Sequence, residues 1–131
     1  MISDPLSDFF IRIKNAYRAG KEELSLPFSR QLLAAANLLK KHGFIKELQI
    51  VKKDKLKKDL KLTLVYLNGQ PAIKEIKRLS RPGRRLYVRS GKIPWTDNPN
   101  TVIIISTSAG LMIHRQAVGR HLGGELLAEI S

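Results

Sequence analysis

The 131-residue sequence contains no cysteine. Disulfide scaffolds, thiolate nucleophiles and cysteine-ligated zinc or iron–sulfur sites are therefore excluded. Long apolar runs are also missing, since aliphatic stretches such as residues 102–105 are far shorter than the ~20 residues that span a bilayer. The first ten residues carry acids but no basic segment, so they do not have the pattern of a signal peptide.

Acidic residues are scarce, because 11 Asp and Glu oppose 24 Lys and Arg and leave a formal net charge of +13. The whole excess lies between residues 40 and 92, which hold 17 basic and four acidic side chains. This concentration favours a polyanion-binding face. The alternative is a solvated surface with a lysine-rich hairpin tip. A membrane is not expected as a partner, because no basic amphipathic helix with an aromatic or leucine face carries the charge.

Two helices are predicted in the first third of the chain. The first follows Ser3-Asp4-Pro5, a cap with proline in the first turn, and Gly20 ends it. Ser29 caps the second helix and Gly43 stops it. A short extended segment, residues 24–27, separates the two helices.

Strand patterns fill most of the remaining chain. Strands are predicted over 44–51 and 60–66 around a lysine-rich loop, followed by an Asn68-Gly69 turn. Residues 72–79 fit a helix or a strand. Further strands are predicted over 86–89, 102–106 and 125–130, with a short helix over 112–120.

This order of elements predicts an α+β protein of two small lobes. The first, residues 1–70, is an α/β lobe with two helices on a short sheet. The second, residues 71–131, is a mainly antiparallel β lobe with a short helix.

Catalysis is not indicated by any motif. The only histidines are His42, His114 and His121, and no nearby acid completes a metal-binding helix motif. Phosphate-binding glycine loops and nucleophile elbows are absent from the sequence. We therefore expect no catalytic residue, no metal and no cofactor. The alternative is a hydrolase that uses Ser106 or His114.

Residues 106–110, which we call the hydroxyl loop, place three hydroxyl side chains between a buried strand and a glycine. Hydroxyl and free backbone N–H groups can donate to phosphates, 2′-hydroxyls and base edges, although Ser and Thr also favour local turns and caps. Gly123-Gly124 has two similar interpretations, a tight turn at positive φ or close approach of the backbone to a ligand.

Two aromatic residues lie near basic ones. Tyr87 is flanked by Arg84, Arg85 and Arg89, and Trp95 follows Lys92. Basic residues interleaved with aromatics suit irregular RNA, in which bases can stack, whereas strand packing is the alternative for Tyr87. Met112 fits a core position, or a flexible contact with a splayed base.

Six segments occur here in an order that resembles a known family, covering essentially the whole chain. They are SDPLSDFFIRIKNAYRAG, SLPFSRQLL, LKKHGFI, KRLSRPGRRLYV, IIISTSAGLMIHRQA and LGGELLAEI. Together they closely resemble bacterial small ribosomal subunit protein eight, the uS8 family. The resemblance implies a two-lobed, non-catalytic protein that is a primary binder of the central domain of small-subunit rRNA and helps to assemble the platform.

The resemblance also implies RNA-binding residues. In the C-terminal lobe these are Ser106, Thr107, Ser108, Gly110, Gly123, Gly124, Glu125 and Tyr87, with Met112 as an added candidate. In the N-terminal lobe they are Asp4, Pro5, Arg12, Lys14, Asn15 and Arg30. To these the charge pattern adds Lys57, Lys58, Arg84 and Arg85. Glu125 is expected to accept a hydrogen bond from a base amino group or to orient a neighbouring donor. Its alternative is a surface charge at a strand end.

The expected partners are rRNA, neighbouring small-subunit proteins and, as in many relatives, the mRNA of the protein's own operon, which the family represses. No homo-oligomer is expected. The expected location is the cytoplasmic ribosome, with an organellar ribosome as the alternative. Departures from the family pattern occur at Ala109, Ile113 and Ser131, and residues 95–101 lack the family's glycines. The rival function is that of a general nucleic-acid binder, acting on DNA and RNA alike.

Overall fold

The computed structural model describes residues 5–131, so the predicted cap at Ser3 and Asp4 lies outside the described residues. The first half contains two helices and a three-stranded antiparallel sheet in the order β1-β3-β2. Its elements are α1 (Pro5–Arg18), β1 (Glu23–Pro27), α2 (Arg30–Lys41), β2 (Glu47–Lys52) and β3 (Lys58–Thr63). Ser29 caps α2 as predicted, because its Oγ accepts the backbone N–H of Leu32 at 3.1 Å.

The strand predicted over 60–66 is shorter than expected. β3 ends at Thr63, and Tyr66 belongs to the separate strand β4 (Tyr66–Leu67), which pairs with β5 (Gln70–Pro71). The break occurs where the N–H of Val65 donates to the Tyr17 hydroxyl at 3.0 Å instead of to a strand. The Asn68-Gly69 turn is confirmed, with φ of +54° and +79° at its two central residues, as a tight hairpin requires.

The second half is built on an antiparallel sheet in the order β6-β10-β8-β9, with β7 also paired to β10. Its elements are β6 (Ile76–Arg78), β7 (Tyr87–Val88), a 3-10 turn (Ser90–Lys92), β8 (Val102–Thr107), β9 (Gly110–Ile113), α3 (His114–Gly119) and β10 (Gly124–Ile130). The helix predicted from residue 112 begins at His114, because Met112 and Ile113 pair with β8. The ambiguous segment 72–79 contains a strand, β6.

The main core extends across the predicted boundary at residue 70. It joins Phe9, Ile13 and Leu39 of the helices to Ile104 and Ile130 of the second sheet. A smaller core on the opposite face contains Ile103, Ile105, Met112, Ala117 and Leu126. β8 is therefore buried on both faces, which explains its continuous aliphatic sequence. The α+β fold class is confirmed, whereas the division into two lobes remains a prediction.

Tyr17 connects α1 to the end of α2 and to the first sheet. Its hydroxyl donates to the carbonyl oxygen of Phe44 at 2.6 Å and accepts the N–H of Val65 at 3.0 Å. Burial raises the pKa of Tyr17, because the phenolate would be poorly solvated there. The neutral hydroxyl thus both donates and accepts, and it holds three parts of the chain together.

Candidate nucleic-acid interface

Three of the predicted RNA contacts lie side by side on the second sheet. Tyr87 on β7 is in register with Glu125 on β10, and Glu125 is in register with Ser106 on β8. Directly paired residues of antiparallel strands project from the same face. Tyr87 is 70% exposed, and the other two residues are partly buried. The fold thus brings together residues from three separated segments into one row, which we call the cross-strand row.

Glu125 is ion-paired within this row. A guanidinium N–H of Arg85 donates to its Oε2 at 3.2 Å, and the two side chains are only 24% and 16% exposed. Partial burial makes a charge-assisted hydrogen bond stronger and more directional than one in water. Glu125 is therefore a partly buried partner of Arg85, an arrangement that fits the predicted role of orienting a neighbouring donor, and its contact with RNA remains a prediction.

The segment before Arg85 is a rigid turn. The N–H groups of Arg81 and Arg84 each donate to the other residue's carbonyl oxygen, at 3.0 and 2.9 Å. The buried Ser80 hydroxyl accepts the N–H of Leu86 at 2.9 Å and so closes the base of the turn. Arg84 is exposed at the end of this turn. The two arginines therefore have distinct roles, since Arg85 points to Glu125 and Arg84 faces solvent.

Of the three hydroxyl groups in the hydroxyl loop, only that of Thr107 makes hydrogen bonds within the described residues. The Thr107 hydroxyl donates to the carbonyl oxygen of Gly110 at 2.8 Å and accepts the N–H of Ala109 at 3.1 Å. Gly110 has a φ of +112°, a conformation that residues with a side chain rarely adopt. Ser106 and Ser108 make no side-chain hydrogen bond within residues 5–131, and Ser108 is exposed. Thr107 and Gly110 therefore shape the turn, and the two serines remain available to a ligand.

Gly123 and Gly124 are required by the packing of the sheet. Neither has a positive φ, so the interpretation as a tight turn at positive φ is wrong. A Cβ on Gly124 would collide with the carbonyl oxygen of Ser106, and one on Gly123 with that of Val88. The glycine pair thus lets β10 pass close to its neighbours and fixes Ser106 in the cross-strand row.

Met112 occupies the smaller core. Its side chain is only 4% exposed and packs with Ile103 and Ile105. The structure therefore places Met112 as a core residue and not on the surface that a splayed base would touch, and we leave it out of the interface.

The N-terminal candidates lie on two helices. Pro5, Arg12, Lys14 and Asn15 are on α1, Arg30 opens α2, and Asp4 lies outside the described residues. Arg12 is paired with Asp8 at 3.3 Å on the exposed side of α1. Lys14 lines a shallow groove of about 470 Å³ together with Lys77, Arg78 and Arg81.

The sequence alone did not indicate Lys77, Arg78 or Arg81 as binding residues. Lys77, Arg78 and Arg81 belong to the basic segment 40–92, but only the packing of α1 against β6 brings them close to Lys14. The groove therefore extends the positive surface from the second half onto the first helix.

Lys57 and Lys58 lie on a different sheet from the cross-strand row, at the end of the β2–β3 hairpin. The Asp54 carboxylate shapes this tip by accepting the N–H groups of Leu56 and Lys57, both at 2.8 Å. The ammonium group of Lys58 lies 5.8 Å from the centre of the Phe28 ring. The basic middle of the sequence is thus divided between a hairpin tip and the region of β6 and β7.

His114 is a structural residue. It is 1% exposed, and its Nδ1 accepts the N–H of Ile103 at 3.1 Å. Its Nε2 lies 3.4 Å from the Thr96 hydroxyl. Burial, followed by the charge of Arg115, lowers the pKa of His114. Both ring nitrogens of His114 thus have partners inside the fold, Ile103 and Thr96.

Residues 5–131 contain no group of three or more His, Cys, Asp or Glu side chains arranged to hold a metal ion. None of the helices found there is both long and apolar enough to cross a membrane.

Comparison with known proteins identifies a family. A family model described as Ribosomal protein S8 matches residues 4–131. Small ribosomal subunit protein uS8 of Nitratidesulfovibrio vulgaris is 40% identical over 130 residues, which is 99% of each chain. The uS8 proteins of Neisseria meningitidis serogroup C and Alkalilimnicola ehrlichii are each 41% identical, over 128 and 129 residues. These alignments cover 98% of this chain in both cases, and 97% and 98% of the relatives. By both criteria, the chain belongs to the uS8 family of small ribosomal subunit proteins.

Proposed function

We propose that the chain is a primary rRNA-binding protein that recognises the central domain of small-subunit rRNA and helps to assemble the platform. The observation that carries this proposal is the cross-strand row. In this row Tyr87 presents an exposed aromatic ring, and Glu125 is paired with Arg85. Ser106 presents a hydroxyl that makes no hydrogen bond within residues 5–131. Aromatic stacking and hydroxyl contacts are the means by which proteins recognise irregular RNA.

The basic surface and the row have different tasks in this proposal. Lysines and arginines of segment 40–92 supply affinity for any RNA by neutralising phosphates and releasing counterions. The row and the hydroxyl loop supply discrimination, because hydroxyls and stacked rings contact base edges and 2′-hydroxyls. Gly123 and Gly124 contribute by positioning β10, while Arg12, Lys14, Asn15 and Arg30 extend the phosphate-binding surface.

A double substitution, Ser106→Ala with Ser108→Ala, tests the discriminating part. We expect binding to a central-domain rRNA fragment to weaken by about 1–3 kcal/mol, with binding to random duplex RNA unchanged. The fold should be preserved, because neither hydroxyl makes an internal hydrogen bond within the described residues. Ser25→Ala on β1 is the matched control, since it removes an exposed serine hydroxyl from the other sheet. Equal losses for both RNAs would refute the role of the loop.

Lys57→Gln with Lys58→Gln tests the electrostatic part. Both RNAs should bind more weakly, and the logarithm of the affinity should fall less steeply with the logarithm of the salt concentration, by about 0.7–0.9 for each phosphate that is no longer neutralised. The slope is obtained from affinities measured at four or more salt concentrations. An unchanged slope would show that the hairpin tip does not contact phosphates.

A general nucleic-acid binder would behave differently in one measurement. The affinity of the unaltered chain for the rRNA fragment is compared with its affinities for tRNA and duplex DNA at one stated salt concentration. The proposal expects a clear preference for the fragment, whereas a ratio near one favours the general binder. An operon mRNA that mimics the rRNA site is expected to compete with the fragment for the same surface. Within the cytoplasmic ribosome the chain is expected to act as a single copy beside other small-subunit proteins.

A further inference from the structure

Trp95 is exposed on a part of the surface that the proposed function does not use. It is the only tryptophan in the sequence, and its side chain is 71% exposed. A large apolar ring left in water forgoes the stabilisation that burial would give.

The segment that carries Trp95 is fixed to the second sheet and to α3. The Thr96 hydroxyl donates to the carbonyl oxygen of Thr101 at 3.2 Å, next to the start of β8. The N–H of Asn100 donates to the Asn98 side chain at 2.9 Å. The guanidinium group of Arg115 donates to the carbonyl oxygen of Pro99 at 2.7 Å. Three hydrogen bonds thus hold a segment that has no regular secondary structure.

The indole ring itself rests against His114. The two ring centres are 6.3 Å apart and the planes meet at 83°, an edge-to-face arrangement. The His114 ring cannot easily move, because it is buried and its Nδ1 accepts the N–H of Ile103. The indole is therefore held on one side while most of its surface stays open. A ring fixed in advance loses little entropy when a second ring stacks on it.

The position and surroundings of Trp95 favour RNA over a protein surface. Ile103, whose N–H donates to His114, lies about 10 Å from Ser106 along β8, and the side chains of Ile103 and Ser106 project from opposite faces of that strand. Between residues 89 and 124 there are four Lys and Arg and a single acid, Asp97. The residues that follow Trp95, namely 96–100, are polar apart from Pro99. Within residues 92–100 the exposed side chains beside Trp95 are polar apart from Pro94 and Pro99, so this segment by itself does not form a contiguous exposed apolar patch.

We propose that Trp95 is a stacking platform for an unpaired RNA base, separate from the base held by the hydroxyl loop. The inference rests on the proposed RNA-binding function and adds to it a contact that comes from a separate loop. Every nucleobase presents a π-face, so the platform would hold a splayed nucleotide without selecting its identity. Lys92 and Arg89, a few residues upstream, carry the charge that a neighbouring phosphate would need.

Fluorescence tests the proposal directly, since all tryptophan emission from the chain comes from Trp95. Titration with the central-domain rRNA fragment should quench the emission and reduce the accessibility of the ring to acrylamide. Saturation is established separately by filter binding, and Trp95→Phe serves as the blank. Unchanged emission and accessibility at saturation would overturn the proposal. Protection that develops only when other ribosomal proteins are added would assign the ring to a protein interface and overturn it equally.

Substitutions measure what the stacked base contributes. Trp95→Leu keeps an apolar side chain but removes the π-surface, and should weaken fragment binding by about 5- to 150-fold, the range given by base–aromatic stacking. Trp95→Phe should retain most of the affinity, and both variants should keep the salt slope because the ring carries no charge to neutralise a phosphate. Leu67→Ala, which alters a 67% exposed side chain on β4, is the matched control and should bind normally. Normal binding by Trp95→Leu would refute the platform.

The two proposals fail in distinguishable ways. If the Ser106 and Ser108 double variant loses discrimination while Trp95→Leu binds normally, the proposed function stands and the platform is wrong. If the unaltered chain shows no preference for the fragment, the proposed function fails. The platform is then judged with a single-stranded uridine oligonucleotide: quenching of Trp95 supports it, and no quenching overturns it.

Discussion

At the scale of single residues, the decisive feature is which polar groups are already satisfied inside the protein. Thr107 and Ser108 are adjacent hydroxyl residues, yet only the Thr107 hydroxyl is used by the turn. Glu125 and Arg85 are 40 positions apart and form a partly buried pair. Charge pattern and family resemblance predict that these residues bind RNA. Their roles depend on turn geometry and on contacts distant in sequence, which no local pattern contains.

His114 gives a prediction for the dependence of stability on pH. Its pKa lies below the ordinary value of 6.5, so below that pH the unfolded chain binds a proton that the folded chain resists. The free energy of unfolding should therefore be highest above pH 6.5 and fall on acidification, by at most about 1.4 kcal/mol per pH unit for one histidine. Urea unfolding between pH 7 and pH 5 measures the slope.

The matched variant is His114→Asn, whose side-chain oxygen can still accept the N–H of Ile103 but does not titrate. Its pH slope should be smaller than that of the parent protein. Part of the slope should persist, because burial, together with the charges of Lys41 and Arg115, lowers the pKa of His42 in the same direction. A His114→Asn protein with the full parental slope would contradict this account.

At the scale of elements, local signals predicted the Ser29 cap and the Asn68-Gly69 turn correctly, and long-range pairing determined other elements. Ser29 and Asn68-Gly69 act through their own backbone, and both were recognised from sequence. The sequence predicts a helix from residue 112, so it misses that Met112 and Ile113 end β9. These two residues form a strand because β8 lies beside them. Gly123 and Gly124, at the start of β10, are a similar case, because the backbone of the neighbouring strands leaves no room for a Cβ at either position.

Gly124→Ala tests whether the close approach of β8 and β10 requires a glycine at position 124. The added Cβ would meet the carbonyl oxygen of Ser106, so β8 and β10 would have to separate at the cross-strand row. We expect the free energy of unfolding to fall by about 2–3 kcal/mol, as overpacking does elsewhere. Fragment binding should weaken as well, because Ser106 is displaced. Thermal unfolding and filter binding provide the two measurements.

Gly119→Ala is the control for Gly124→Ala. A Cβ at Gly119 has no neighbour within 4 Å, and Gly119 is the last residue of α3. Removing a glycine from a helix lowers the entropy of the unfolded chain, so stability should stay the same or rise by about 0.5 kcal/mol. Similar destabilisation by the two substitutions would show that the close approach of β8 and β10 is not what requires a glycine at position 124.

At the scale of the whole molecule, one core serves both halves. Phe9 and Leu39 from the helices pack in the same cluster as Ile104 and Ile130 from the second sheet. The fold class followed from the order of helix and strand patterns. The shared core did not, because apolar positions in a sequence do not reveal which of them meet.

The shared core predicts a single unfolding transition. Trp95 emission reports on the second half, and helical circular dichroism reports mainly on α1 and α2. The two signals should give the same urea midpoint, because neither half can expose its part of the core alone. Ile130→Ala should lower both midpoints together, at a cost of about 2–5 kcal/mol. Two separated midpoints would show instead that the predicted lobes are independent folding units.

The position of β10 has a consequence for how the protein is made. β10 is the last strand in chain order, yet it pairs with β6, β7 and β8. A growing chain therefore synthesises three strands of this sheet before the strand that joins them. Until residues 124–130 have been added, β6, β7 and β8 expose unpaired edges, and the cross-strand row does not exist. The cross-strand row, and with it the RNA discrimination proposed for it, can thus form only after residues 124–130 have been synthesised.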